Sequence, residues 1–404
     1  MTTTIKNEQK KLNVPNIRFP EFSGEWEEST IGEQFDLYSG NTPSRFNKEY
    51  FNGNVNWISS GELKEHYIYS SKEQISEEAA KNLKLLPIGT FVIAIYGLEA
   101  EGVRGTGSII KEPSTISQAC MSFISKGAIE NEFLYSWYKK HGNVIGIRYA
   151  QGTKQQNLSY DILESFKIAY PCTKEQKKLK KFITLLDERI ATQTKIIDKL
   201  QTLIKGINKR VFTSNGINYK LEELCEIRSG YSGNQLTSKR GLKVSRIETI
   251  SGHKVNMERV GYVAPFESSE NYRLQVGDIL FSNINSVEYI GNTAFIDKDY
   301  NLYHGMNLLR LIPNDKVVIP FYLYLLLNTN KILNRFKTIC NKAVSQASIN
   351  QTELGKIVIQ IPDINAQKQI CELYQALYAQ LESEKYANSL FQNQKQYLLR
   401  QMFI

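Results

Sequence analysis

The sequence predicts a mixed α/β (α+β) protein with two pseudo-twofold-related globular modules separated by an antiparallel coiled coil of two long helices. Three observations carry this expectation. The second half of the chain repeats the first, each half closes on a heptad stretch, and the stretches between carry short β-branched runs broken by Gly, Asn and Ser. Phe35-Asp36-Leu37-Tyr38-Ser39-Gly40 answers Cys225-Glu226-Ile227-Arg228-Ser229-Gly230. Leu86-Pro87-Ile88-Gly89-Thr90-Phe91 answers Leu274-Gln275-Val276-Gly277-Asp278-Ile279, and Gln155-Gln156-Asn157-Leu158 answers Gln346-Ala347-Ser348-Ile349. Pro171 with Glu175-Gln176-Lys177 is matched by Pro362 with Ala366-Gln367-Lys368. A two-copy period this long indicates a pseudo-twofold molecule, since solenoids repeat every few tens of residues.

In chain order, a segment 1–25 precedes the first module, 26–172. There the β-branched runs predict strands at 90–95, 108–111, 121–125 and 166–169, and the apolar spacing predicts a helix at 132–141. The second module, 214–362, carries strands at 243–247, 278–282, 293–296, 308–312 and 356–361, with a helix at 320–336. In both modules the helix precedes the last strand.

The heptad stretches are 173–213 and 363–404. In the first, positions a and d read Leu179, Ile183, Leu186, Ile190, Gln193, Ile197, Leu200, Ile204, Ile207 and Val211, apolar at all but Gln193. That pattern is a coiled-coil seam rather than a generic amphipathic face. In the second they read Ile370, Tyr374, Leu377, Leu381, Glu384, Asn388, Phe391, Lys395, Leu398 and Met402. The polar interruptions Glu384, Asn388 and Lys395 are expected to fix register, because a polar seam residue specifies alignment at a cost in stability. Helices of this size are about 57 Å long at about 1.5 Å per residue. If they pair with each other they must run antiparallel and hold the modules apart, somewhat over one turn of B-DNA, about 34 Å.

Composition narrows the function. The 404 residues carry 50 Lys+Arg against 41 Asp+Glu, a net charge of +9 that favours a polyanionic partner. The five cysteines form no C-x-x-C pair and the four histidines are scattered, which argues against a zinc site and for reduced thiols in the cytosol. No apolar leader or membrane-length run is visible, so a soluble protein is expected.

The segment between helix and last strand is the most informative chemically. Arg148, Tyr149, Gln151, Lys154, Gln155, Gln156 and Asn157 in the first copy face Lys337, Asn341, Lys342, Ser345, Gln346 and Ser348 in the second. Cations and carboxamides with few large apolar groups suit a loop laid on phosphates and base edges, where Arg and Lys pair guanine and Asn and Gln pair adenine. The alternative is a solvated loop whose amides cap the next element. From this segment the candidate DNA contacts are Arg148, Lys154, Gln155, Asn157, Lys342, Ser345 and Gln346. The loops after the Ser-Gly pairs add Asn41 and Arg45, then Asn234, Lys239, Arg240 and Arg246, though such charge runs also occur on plain solvated faces. Arg104, in Gly102-Val-Arg104-Gly105-Thr-Gly107, is a candidate phosphate contact.

Catalytic signatures are missing from the residues. There is no Pro-Pro of an amine-methyltransferase motif, the only Gly-Lys is Gly355-Lys356 followed by Ile, and no nucleophile-base pair or metal-ligand spacing stands out. The residues describe a reader and not a catalyst.

In the order of its parts, from Val14-Pro15-Asn16-Ile17-Arg18-Phe19-Pro20-Glu21-Phe22 through Trp26 to the Pro-x-x-x-Glu-Gln-Lys helix entry, the chain resembles a specificity (S) subunit of type I restriction-modification systems. The second entry departs from the pattern, with Ala366 in place of Glu175. The resemblance implies two target-recognition domains, 26–172 and 214–362, each reading half of a split asymmetric DNA site, and two conserved helices, 173–213 and 363–404. It further implies that the helices dock two modification subunits, which carry S-adenosylmethionine and the adenine methyltransferase chemistry. Motor-nuclease restriction subunits would add ATP- and Mg-dependent translocation and cleavage, with no cofactor on this chain. The competing expectation is a coiled-coil scaffold whose globular ends bind proteins; a self-sufficient methyltransferase is disfavoured by the missing motifs.

Overall fold

Both copies begin with a strand, one helical turn and a second strand. In the first these are Glu27–Thr30, Ile31–Gln34 and Phe35–Ser39. Thr30 and Glu33 form a reciprocal cap, the Glu33 amide donating to Thr30 Oγ1 and the Thr30 amide to the Glu33 carboxylate. The second copy has Ile217–Lys220, Leu221–Leu224 and Cys225–Ser229, where only the Lys220 amide to Glu223 arm survives because Lys220 has no hydroxyl. The computed structural model describes residues 13–100, 102–152, 156–212, 216–342 and 346–404. It divides into two units, Met1–Thr194 with Tyr386–Ile404, and Lys195–Lys385, so that each contains one module and part of each long helix.

The internal repeat is a repeat of topology. In each copy the first strand pairs antiparallel with the last: Glu27–Thr30 with Lys167–Tyr170, and Ile217–Lys220 with Val358–Ile361. The main sheet of the first module runs Phe35–Ser39, Cys120–Ser125, Phe91–Ala94, Gly107–Ile110, Tyr67–Ile68. That of the second runs Cys225–Ser229, Leu309–Pro313, Ile279–Phe281, Thr293–Phe295, the same order without the fifth strand. Each central strand follows a turn glycine, Gly89 or Gly277, at φ of 88° and 100°, which accounts for the glycine shared by the two copies.

The apolar side of each sheet is covered by helix. Phe91, Phe123, Phe133, Leu134 and Trp137 form one core under Asn131–Tyr149; Ile279, Phe281, Tyr322, Leu323 and Phe336 form the other. Here the structure corrects three expected elements. The helix predicted at 132–141 runs to Tyr149, so Arg148 and Tyr149 are helical and not in the loop. The helix predicted at 320–336 is two, Pro320–Leu327 and Asn330–Ile339. It breaks because Asn328 Nδ2 donates to the Tyr324 carbonyl and Thr293 Oγ1, and Thr329 Oγ1 donates to the Leu326 carbonyl, side-chain bonds that compete with the helical ladder. The second copy of the segment is shortened likewise, since 337–339 belongs to Asn330–Ile339. The strand expected at 243–247 is only Leu242–Val244, followed by a 3-10 turn, Ile247–Ile250.

The two heptad stretches are single helices of 39 residues, Thr173–Val211 and Ile364–Met402. Both enter through the repeated glutamine. Gln176 is buried, its amide donating to the Ala128 and Pro171 carbonyls and its oxygen accepting from the Glu130 amide. Gln367 makes the same set with Val317, Pro362 and the Ile319 amide. Glu175 is occupied differently: it takes Arg18 of the N-terminal segment in a bidentate pair at 2.8 and 2.7 Å, the contact for which Ala366 has no counterpart. In the first unit Lys395 contacts Asp187 and Arg189 lies over the Phe391 ring at 4.4 Å, so the helix segments run antiparallel. In the second unit Ile197 and Ile204 pack with Tyr374 and Leu381, and Tyr374 donates to Asn208. No helix among the described residues is long and apolar enough to cross a membrane.

Candidate nucleic-acid interface

The predicted recognition segment of the first module is a loop closed at its base and pinned along one side. Gln151 and Asn157 exchange backbone hydrogen bonds of 2.8 and 2.9 Å. The Leu158 amide donates to the Ile95 carbonyl and the Leu98 amide to the Gln156 carbonyl, which ties the loop to the end of a central strand. Gln156 is held at two points: Oε1 accepts from Arg104 at 2.7 Å and its backbone N–H donates to Glu99 at 2.8 Å. Arg104 therefore braces the loop from within. Its turn lies on the helix through Gly142 and Gly146, where an added Cβ would fall 2.8 Å from Gly105 Cα and 3.1 Å from Arg104 Cγ. The glycine-rich run 102–107 is thus a packing turn. Lys154 and Gln155 lie outside the described residues, and Asn157 holds the base with its Oδ1 buried and unpartnered.

The second module builds the same closure with a small three-stranded sheet. Asn341–Lys342 pairs with Ala347–Ser348, which pairs with Ile284–Asn285. The Ile349 amide donates to the Asn283 carbonyl at 2.9 Å, the counterpart of Leu158 on Ile95. Lys342 and Gln346 are exposed, and Ser345 lies outside the described residues. Arg148 is removed from this loop by being helical; it is exposed beside a cavity shared with Glu28, Lys167 and Ile404. Tyr149 packs edge-on against Phe166 at 4.9 Å.

The loops after the Ser-Gly pairs divide into braces and free groups. Arg45 holds Glu73 through two hydrogen bonds of 2.7 and 2.8 Å and covers Phe51 at 4.1 Å, so it ties its loop to a strand sequence patterning misses, Glu73–Ile75. Asn41 is exposed and its Oδ1 accepts from the Thr42 amide, while its carbonyl takes Trp57 Nε1. Asn234, Lys239 and Arg240 are exposed; Arg246 is exposed with Glu248 at 3.6 Å. Tyr231 stacks on Phe266 at 3.9 Å and serves packing. Sequence reading passed over Phe46, which is 101% exposed between Arg45 and Lys48. A phenyl ring held wholly in water at a basic loop tip is suited to stacking on or wedging between bases. The signal was its position among Pro43, Ser44, Asn47 and Lys48, where no periodicity calls for a core residue.

A buried ionic cluster fixes the first module to both long helices within its own unit. His66 is stacked between Tyr67 and Tyr135, each ring 4.0 Å away. Its Nε2 meets Glu132 at 2.9 Å and its Nδ1 faces Asp187 at 3.5 Å, while Asp187 also holds Lys395 and Glu132 lies 3.5 Å from Lys180. Burial disfavours charge on the imidazole, but the Asp187 carboxylate beside Nδ1 and the hydrogen bond to Glu132 outweigh it and raise its pKa above 6.5. Burial likewise opposes ionisation of Glu132 and Asp187, and their contacts with His66, joined by Lys395 at Asp187, lower both. Lys139 is pushed down to about 8, first by burial and then by Lys395. These groups position rather than react: among the described residues no set of three or more His, Cys, Asp or Glu could hold a metal ion.

Two modules of one topology, each closing a polar loop beside its last strand, define a duplicated recognition protein. The model of the type I restriction modification DNA specificity domain matches the chain twice, over residues 23–202 and 217–389, and the chain belongs to that family. It is 44% identical over 158 residues to MjaX of Methanocaldococcus jannaschii, a candidate type I restriction enzyme specificity subunit, covering 38% of this chain and 37% of that one. Its matches span less than half the length of the first curated relatives, the others being the MjaIX subunit of the same organism and the EcoR124I/EcoR124II specificity subunit of Escherichia coli. The fold is that of the S subunit from M. genitalium, with a TM-score of 0.58 at 15% identity, covering 97% of this chain and 99% of that one. A chain solved in a study of assembly and conformational transition of the type I R-M system gives 0.61 at 16% identity, covering 93% and 96%.

Proposed function

We propose that this protein is the sequence-specific DNA-binding specificity subunit of a type I restriction-modification complex, reading a bipartite, asymmetric site and directing adenine methylation and restriction by partner subunits. The observation that carries the reading is the duplicated loop closure, since family membership over both copies assigns each module to DNA specificity. The scaffold alternative is not favoured by that double match.

Residues 26–172 and 214–362 act as target-recognition domains. Their candidate DNA contacts fall into three groups. Exposed Asn41, Asn234, Lys239, Arg240, Arg246, Lys342 and Gln346, with Phe46, approach bases and phosphates. Lys154, Gln155 and Ser345, outside the described residues, are candidate contacts from the sequence alone. Arg45, Arg104 and Asn157 hold the loops that present them, and Arg148 contacts backbone from the helix end. The two helices form an antiparallel coiled-coil spacer and dock two modification subunits, which carry S-adenosylmethionine; restriction subunits with ATP and Mg complete the assembly in the cytoplasm. This chain supplies no catalytic group.

The test is duplex binding by the full chain with its modification subunits, across a salt series. A steep fall in affinity with salt, through counterion release, together with adenine methylation lost on deleting this gene, is the expected result. Salt-independent binding, or an unchanged methylome, would refute it.

A further inference from the structure

The second unit contains a cavity of about 410 Å³ at the base of its module, away from the recognition loop. Four cations line it: Lys205 and Lys209, one turn apart on the first long helix, and Lys331 and Arg335, one turn apart on Asn330–Ile339. No carboxylate lines it, and among the described residues none makes an ion pair with any of the four. Two like-charged pairs spaced i,i+4 repel within their own helices, so the cavity gathers positive charge that no acidic residue of its lining balances. The helix Asn330–Ile339 also starts here, and Thr329 gives its hydroxyl to the Leu326 carbonyl rather than capping the first turn. Its field adds to the positive potential.

The first module supplies the internal control. Its equivalent cavity, about 310 Å³, lies against the matching pair of strands, where Glu28 opposite Ala169 takes the place of Asn218 opposite Gln360. There Lys167 is neutralised by Glu28 at 2.8 Å. In the second copy Asn218 stands at the place of the acid and Val358 at that of Lys167, and the four cations share the cavity with no carboxylate in its lining. The duplication has diverged toward uncompensated positive charge at this place.

We propose that this cavity binds an oligophosphate anion. Its volume exceeds one phosphate and falls within the roughly 300–1,000 Å³ of small-ligand sites. Lys205, Lys209, Lys331 and Arg335 meet the charged oxygens, and Asn218 and Gln360 donate to the remaining acceptors. The recognition loop leaves the far end of the same helix, whose ten residues place it about 15 Å away at about 1.5 Å per residue. The phosphates come either from a free nucleotide or from the DNA backbone.

The experiment is calorimetric titration of inorganic tripolyphosphate into the full chain at low salt. One site per chain is expected, weakened about tenfold or more in Lys331→Gln/Arg335→Gln, since charge-assisted bonds to phosphate are lost, and unchanged in Lys167→Gln. Because Arg335 also donates to the Val358 carbonyl, Lys205→Gln/Lys209→Gln provides a second variant with no such backbone bond and the same expected loss. Duplex carrying the target site then identifies the source: stoichiometric displacement of tripolyphosphate assigns the site to backbone phosphate, and simultaneous binding assigns it to a free phosphorylated ligand. No saturable binding, or equal affinity in wild type and both double variants, overturns the proposal.

Discussion

Replacing His66 by Phe tests whether the first module is held on its helices by charge. Phenylalanine keeps the stack between Tyr67 and Tyr135 but leaves Glu132 and Asp187, with side chains 11% and 25% exposed, without the imidazolium between them. Removing one partner of a buried pair costs about 3–5 kcal/mol; Lys180 and Lys395 still face these carboxylates, so about 2–3 kcal/mol is expected. That corresponds to a fall in melting temperature of roughly 5–10 °C. All three tryptophans, Trp26, Trp57 and Trp137, belong to the first unit, so urea unfolding followed by tryptophan fluorescence reads this unit alone. The penalty depends on pH. His66 has a raised folded pKa, so its contribution is complete below about 6.5 and is lost as pH rises through the folded value. Glu132 and Asp187 have lowered values, so theirs is present above about 4.5 and is lost as pH falls through the folded values. The gap between wild type and His66→Phe is therefore widest near pH 5.5 and narrows toward pH 9. Lys139, at about 8, is present in both proteins, so the difference between the two is the readout. An equal penalty at both pH values would show that His66 acts only as a ring between two rings.

Three further outcomes follow from the same geometry. Gln346→Ala should relax one base position of one half-site by about 1–3 kcal/mol of discrimination; methylome sequencing checks this, and uniform weakening on all sequences would place the residue on phosphate. Phe46→Ala should weaken target binding without lowering thermal stability, because the ring is fully exposed and packs on nothing; a drop in melting temperature would show that it packs in the free protein. Four residues inserted near Gly206 should lengthen the helix by about 6 Å and widen the half-site spacer by one or two base pairs at about 3.4 Å each, with both half-sites unchanged. An active insertion variant with the original spacing would remove the helices as the ruler.

The elements legible in the sequence were those whose signal is local and periodic. The seam residues Leu179, Ile183, Ile197, Ile204, Tyr374 and Leu381 are buried as their spacing required, and the central strands lie within two residues of their expected limits. The outer strands Val55–Ile58 and Glu73–Ile75 are too short to show a period: the first buries the adjacent residues Trp57 and Ile58 rather than alternating, and the second buries only Ile75. The break at Asn328 depends on a partner, Thr293, that is remote in sequence. At the candidate interface, sequence located the loop but not the roles within it. Arg104 and Arg45 read as DNA contacts because they are arginines near glycine and asparagine; only the fold brings Gln156 and Glu73 to them. Phe46 was missed for the opposite reason, since an aromatic residue is assumed to be core unless its exposure is known.

The central claim is that each module reads its own half of the site, and exchanging one module tests it most directly. Residues 26–172 are replaced by the equivalent module of a relative, the chain is expressed with its modification subunits, and methylated adenines are sequenced genome-wide. The expected result is a non-palindromic bipartite motif in which one half changes while the other half and the spacer are retained. A motif altered in both halves, or in neither, would contradict modular reading.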